Sequence, residues 1–268
     1  MMPVVEPYPP AADRRWADVQ WDLIAAIPET PAMNIALDEV LTKAVGRGER
    51  GPTLRIWSWA SDAIILGRFQ SVRNEVQIEN AQAMGVEIVR RISGGGAMLV
   101  QPDGAITYSI YVPPSFVHDL SFSESYAFLD SWVVSALRDL GIDAWYQPLN
   151  DITSSEGKIG GAAQARRFGA VLHHTTMAYD MNVDLLTNVL RIGQEKLSDK
   201  GLSSAAKRVA PLRQQTQMPR QAIVDTFISR FVELTNATPN DVTLEERAEA
   251  EALAREKFTN DEWTYILP

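Results

Sequence analysis

Residues 86–112 read VEIVRRISGGGAMLVQPDGAITYSIYV, and the punctuation of this stretch decides the fold. Val86 to Ile92 is rich in β-branched residues, which favour an extended strand. Gly94, Gly95 and Gly96 interrupt it. Ala97 to Val100 and Ala105 to Val112 then read as two more strands, joined by the turn sequence Gln101-Pro102-Asp103-Gly104. The glycines therefore lie between two strands. A Walker loop or a dinucleotide fingerprint puts them between a strand and a helix, and G-x-x-x-x-G-K is missing here.

Outward from this stretch, Trp21 to Ile27, Thr53 to Ser58, Ala63 to Leu66 and Ala144 to Gln147 also read as strands. Lys158 to Ala165 and Ala170 to Met181 read as a hairpin. Thr30-Pro31 starts a helix over residues 32–45, with Thr as cap and Pro pre-set for the first turn. Val76 to Met84 reads as a helix stopped by Gly85, and Glu124 to Leu140 as one capped by Ser123 and ended by Gly141. The last third is helical in pattern over 184–192, 194–200, 220–236 and 244–257, the last opened by a Thr243/Glu246 capping box. The fold class is α+β, a mixed, largely antiparallel sheet flanked by helices. Residues 1–20, rich in Pro and Ala, are expected as a loose arm. Residues 21–268 are expected as a single domain whose part from 210 to 268 is helical, with Trp263 and Tyr265 packed.

Composition narrows the function. A net charge of −9 is a poor match to nucleic acid, which needs clustered Lys and Arg. The chain has no cysteine, which excludes disulfides, thiolate metal sites and cysteine nucleophiles. No apolar run approaches the roughly 20 residues of a membrane helix, and the start lacks the pattern of a signal peptide. A soluble, cytoplasmic protein without membrane partners is expected.

Four segments could carry chemistry. Around Ser93 to Ala97, glycine lets backbone N–H groups approach a ligand, and the preceding Arg90-Arg91 adds charge suited to an anion. The plain alternative is a glycine-rich hairpin corner. In Lys158-Ile159-Gly160-Gly161 a lysine beside glycines in an apolar strand can point into a cleft, or simply sit in solvent at a hairpin end. His173 and His174 are adjacent on a strand, so they face opposite ways and do not chelate one metal; one lines a cleft and the other is structural. Asn150-Asp151 follows Pro148 in an expected loop, where Asp151 either holds Mg²⁺ or is an ordinary turn residue.

In order along the chain, Asn34-Ile35-Ala36-Leu37-Asp38-Glu39, Leu66-Gly67-Arg68, Arg90 to Ala97, Asn150-Asp151, Lys158 to Gln164 and His173-His174-Thr175 together resemble the lipoate–protein ligase A family of the biotin/lipoate ligase superfamily. Lys196 to Val209 resembles the segment that closes that catalytic domain. The likeness covers about residues 20–210. It implies an α+β fold of the class II aminoacyl-tRNA synthetase and biotin ligase type. The implied reaction has two steps: lipoate and ATP give lipoyl-AMP and pyrophosphate, and an acceptor lysine then takes the acyl group as an amide.

The same resemblance implies roles. Lys158 would hold the lipoyl carboxylate and α-phosphate oxygens. Arg91 would contact the acyl-adenylate. Ser93, Gly94, Gly95, Gly96, Ala97, Met98 and Leu99 would wall the nucleotide and acyl chain, with Asn150, Gly160 and His174 also on the ligand. Asp151 would touch Mg²⁺. ATP and Mg²⁺ would serve as substrate and activator, lipoate as substrate, and no tightly held cofactor is expected. The partner would be a lipoyl domain, an H protein or another lipoyl carrier, with the accessory domain of single-chain ligases supplied as a separate chain or absent.

Two departures stand out. The family's His-His-Gly-Thr reads His-His-Thr-Thr here, so Thr175 is expected to narrow the cleft or change acyl preference. Gln101-Pro102 replaces a common His-Asp. The nearest rivals are octanoyltransferases of the superfamily, which pass the acyl group through a cysteine that this chain lacks; a serine substitute would need an activating base that the sequence does not identify. A non-catalytic lipoyl-binding paralogue is a further alternative, and biotin ligase a last one, whose glycine and lysine segments differ in detail from these.

Overall fold

The computed structural model describes residues 13–25, 27–191 and 209–268. In chain order the strands are β1 (Asp22–Ile24), β2 (Pro28–Glu29), β3 (Thr53–Ile56), β4 (Ser58–Trp59), β5 (Ala63–Leu66), β6 (Glu87–Arg90) and β7 (Met98–Val100). They continue with β8 (Ala105–Val112), β9 (Ala144–Gln147), β10 (Asp151–Ser154), β11 (Gly157–Arg167), β12 (Ala170–Ala178) and β13 (Thr238–Pro239). Eight of them form one sheet in the order β13-β1-β3-β8-β12-β11-β10-β9. The β13, β1 and β3 strands run parallel, and every pairing from β3 onward is antiparallel. A smaller sheet, β6-β5-β7, carries the segment that opened the sequence reading. The mixed, largely antiparallel α+β expectation holds.

Helices cover both faces of the large sheet. On one side lie α1 (Pro31–Gly46) and the C-terminal turns; on the other lie α4 (Phe122–Asp139) and α7 (Arg220–Thr235), counting α2 (Val72–Glu75), α3 (Ile78–Ala83), α5 (Val183–Val189) and α6 (Leu212–Thr216) between them. All eight residues of β8 are buried because each face meets a core. Ile106, Tyr108, Ile110 and Val112 enter the core under α4, while Ala105 and Tyr111 enter the core under α1, as the two-residue strand period requires.

Several boundaries moved for identifiable reasons. Helix α4 starts earlier than expected, capped by Ser121 rather than Ser123, because Ser121 and Glu124 form the capping box. The expected helix 76–84 is broken at Val76, which takes an extended conformation and bridges Leu190. The loose arm expected over residues 1–20 does not extend over residues 14–16. Arg14–Trp16 is a helical turn whose Trp16 is buried and stacks on Trp21 at 5.3 Å, and only residues 1–12 of the arm fall outside the described chain. The helix expected at 194–200, and most of the Lys196–Val209 segment, also lie outside the described residues. Strand β13 was not foreseen; two residues carry no periodic signal. The Thr30 and Thr243 caps formed as expected.

Candidate active site

Strands β11 and β12, the loop after β6, and α5 enclose a cavity of about 320 Å³. The loop contributes Gly95, Gly96 and Ala97; β7 contributes Met98 and Leu99; β11 contributes Lys158 to Ala163; β12 contributes His174 and Thr176. Leu186, Leu190 and Val209 add apolar wall, and Asn150 also borders the space. The cavity is apolar along most of its lining, with a few polar groups converging on it, the usual make-up of a small-molecule site.

Lys158 keeps its side chain 43% exposed, and its Nζ lies 2.7 Å from Asp151 Oδ1. Asp151 begins strand β10 rather than sitting in a loop, and it does not line the cavity. Its carboxylate is taken by Lys158, and no trio of His, Asp or Glu side chains among the described residues is grouped to hold a metal. The Asp151 carboxylate orients the lysine through Oδ1.

Asn150 is tied to β11: its Nδ2 donates to the Ala162 carbonyl at 2.7 Å, and the Ala162 N–H donates back to the Asn150 carbonyl at 2.8 Å. Gly160 is needed for strand packing, since a Cβ there would lie 2.6 Å from the Thr176 carbonyl oxygen.

The arginine pair divides its work. Arg90 is fully buried and donates to the carbonyls of Gly67, Gln70 and Thr264, so it ties the C-terminal segment to the fold and is no anion ligand. Arg91 borders the cavity but is committed to the glycine loop. Its Nε donates to Ser93 Oγ at 3.0 Å, and its terminal nitrogens donate to the carbonyls of Gly94 (2.6 Å), Gly96 (2.9 Å) and Ile65 (3.1 Å). Burial lowers its pKa to about 10, so the guanidinium stays charged at neutral pH. Arg91 thus combines a place on the cavity lining with this loop scaffold.

Ser93 and Gly94, although part of the loop, do not line the cavity. Ser93 is 1% exposed, and its Oγ lies 2.7 Å from His174 Nε2. His174 Nδ1 in turn lies 2.7 Å from Asp38 Oδ2. Burial favours the neutral ring and lowers the His174 pKa, opposed by its hydrogen bond to Asp38, which favours the charged form. Asp38 escaped the sequence reading as a site residue. A signal existed: it lies on the apolar face of α1, where a charge must find partners. His173 faces the other way, buried under α4 on Asp130, and His118 is exposed and remote from both.

Thr175 is 1% exposed and does not border the cavity; its hydroxyl donates to Asp130 at 2.7 Å on the α4 side. The expectation that it narrows the cleft is overturned, because strand alternation turns residue 175 away when 174 and 176 face the cavity.

A model of the lipoyl protein ligase A/B catalytic domain matches residues 30–234. Octanoyltransferase LipM of Kyrpidia tusciae is 30% identical over 276 residues, covering 91% of this chain and 98% of that protein. The chain superposes with a TM-score of 0.80 and 28% identity on the bi-partite lipoate protein ligase of Thermoplasma acidophilum, solved in a study of that archaeon's lipoylation system, with 93% of this chain and 97% of that one covered. It superposes with a TM-score of 0.81 and 26% identity on a lipoate-protein ligase A bound with ATP, over 93% and 100% of the two chains. Fold, site and relatives together define a class of ligases and acyltransferases. The chain belongs to the lipoyl protein ligase A/B catalytic domain family. No helix among the described residues is long and apolar enough to cross a membrane.

Proposed function

We propose that the chain is an ATP-dependent lipoate–protein ligase. The carboxylate of lipoate or octanoate attacks the α-phosphorus of ATP, releasing pyrophosphate and leaving an acyl-AMP. The ε-amine of an acceptor lysine then attacks the acyl carbon, forming an amide and releasing AMP. One observation carries the reading: a single apolar cavity brings together Lys158 and the glycine loop. Two anions must meet in the first step, and a positive charge with preorganised N–H donors offsets their repulsion. The apolar wall suits an eight-carbon chain, which gains affinity from each buried methylene. The chain that resembles it from Thermoplasma belongs to a bi-partite ligase, which supports a lipoyl carrier as acceptor and a second chain as a helper.

Octanoyl transfer without ATP is the second reading, favoured by the similarity to octanoyltransferases and by Ser93, which has the histidine base and aspartate that a serine nucleophile needs. It ranks behind because no cysteine is present and because Ser93 is buried off the cavity. The deciding experiment is lipoate-dependent ATP–pyrophosphate exchange by the purified chain, alone and with a candidate accessory chain, with Lys158→Ala as control. Exchange that disappears in the variant supports adenylation. Consumption of an octanoyl thioester without exchange moves the second reading to the front.

A further inference from the structure

The buried line from Asp38 to Arg91 has no part in the two-step chemistry above, yet each link points the same way. Asp38 Oδ1 accepts from Ser109 Oγ (2.8 Å) and Tyr111 Oη (2.5 Å), and Arg55 lies 3.8 Å away. Its remaining oxygen, Oδ2, faces His174 Nδ1, so the network assigns the proton of a neutral ring to Nδ1. His174 Nε2 is then an acceptor and takes the hydroxyl proton of Ser93. The Ser93 oxygen is left to accept from Arg91 Nε. Reversing any one link would set two donors or two acceptors against each other.

Arg91 spends this fixed orientation on the loop. It draws in the carbonyls of Gly94 and Gly96. In a trans peptide the C=O and the next N–H point in opposite directions. The N–H groups of Gly95 and Ala97 therefore point away from the guanidinium, and both residues border the cavity. Among the described residues no protein acceptor takes the N–H of Gly95, Gly96 or Ala97. Gly95 has φ +90°, and a Cβ there would lie 2.8 Å from an Arg91 nitrogen. Successive free N–H groups in a left-turning loop form a concavity for anions.

We propose that Asp38, His174 and Ser93 are positioning residues, a relay that locks Arg91 and through it aims the glycine-loop N–H groups at a phosphate in the cavity. The proposal deepens the ligase reading and rests on it for the identity of the phosphate. The same three residues are not a nucleophilic triad: Ser93 does not reach the cavity, and its oxygen accepts from a cation, which holds it and weakens it as a nucleophile.

The test is calorimetric titration of wild type, Ser93→Ala, Asp38→Asn and the double variant with pyrophosphate, ATP and octanoate, alongside their melting temperatures. Each single change is expected to weaken pyrophosphate about tenfold, the scale of one well-placed hydrogen bond to a charge. The double variant is expected to be no weaker than the worse single one, because both cut one chain, and octanoate affinity is expected to stay within about twofold. Ser93→Thr, which retains the hydroxyl, is expected to restore pyrophosphate binding and serves if Asp38→Asn does not fold. Unchanged pyrophosphate affinity in Ser93→Ala, single effects that multiply, or no binding by wild type would each overturn the relay. An octanoyl ester found on Ser93 by mass spectrometry would overturn it too. Pyrophosphate binding that follows this pattern, without ATP–pyrophosphate exchange, would keep the relay and remove the ligase reading.

Discussion

His173 and His174 are neighbours on one strand, and each sits 2.7 Å from an aspartate, yet the two pairs serve different regions. His174 with Asp38 lies on the cavity side and leads to the glycine loop. His173 with Asp130 is sealed between the sheet and α4, near Tyr108 and Tyr126. The rings carry opposite tautomers. His173 donates from Nε2 to Asp130 and accepts at Nδ1 from Gln164, whereas His174 donates from Nδ1. Asp130 Oδ1 takes donors from Tyr108, His173 and Thr175, while its Oδ2 has no partner among the described residues. One pair of residue types thus becomes a positioning device or a structural knot according to the face of the strand. The lesson is that a strand's two-residue period separates function from stability within two consecutive residues.

Four experiments would break or sharpen that contrast. The largest effect belongs to the cavity side. Lys158→Ala is expected to lower ATP–pyrophosphate exchange about 10²- to 10³-fold, the cost of removing a preorganised charge at a developing anion. Its melting temperature should hardly move, because the side chain is half exposed. A loss of exchange matched by unfolding would break the contrast.

Next, Asp130→Asn is expected to cost about 2–3 kcal/mol of stability in a denaturant melt, since it disturbs a buried charge with three donors. Its KM for ATP should stay near that of wild type. A raised KM with unchanged stability would show that the α4 side also serves the site.

Third, Thr175→Gly, which restores the residue typical of the resembled family, is expected to lose about 1–2 kcal/mol, from one buried hydrogen bond and the backbone freedom of glycine. Competition between octanoate and lipoate should come out the same in both proteins. A changed preference would mean that residue 175 influences the cavity across the strand.

The smallest effect is in pH. Burial lowers the His174 pKa below its ordinary 6.5. Between those two values the unfolded chain binds more protons than the folded one, so stability rises with pH there. The contribution is complete above about 6.5 and fades as pH falls toward the lowered value. Melts of His174→Gln between pH 5 and pH 8 should show a flatter acid limb than wild type. Equal slopes would show that His174 does not titrate in this way.

Much of this was legible in advance, and the limits have physical causes. The glycine loop, Lys158, Asn150 and the opposite facing of His173 and His174 were readable because glycine, lysine and a strand's alternation each constrain local geometry. The role of Arg91 was half legible. Its charge beside glycines marked an anion site, but the turn of the loop on itself set the Gly94 and Gly96 carbonyls on the guanidinium, and only the fold brought the Ile65 carbonyl within its reach. The pairing of Asp151 with Lys158 was not legible, because the two become neighbours only through the β10–β11 pairing. Leu186 and Leu190 were absent from the reading because a cavity wall built by a separate helix leaves no spacing in the sequence.

By itself the sequence determined the α+β class, the strand–glycine–strand order, the Thr30 and Thr243 helix caps and the exclusion of cysteine chemistry, because all of these depend on local conformation or composition. Tertiary structure alone decided which histidine faces the cavity's loop, that Arg90 binds the C-terminal segment while Arg91 holds the glycines, and that Asp38 completes the line to Ser93. The histidine, Arg90 and Asp38 choices join residues 81 to 174 positions apart, and hydrogen bonds at such separations are written only by the packing of one element on another.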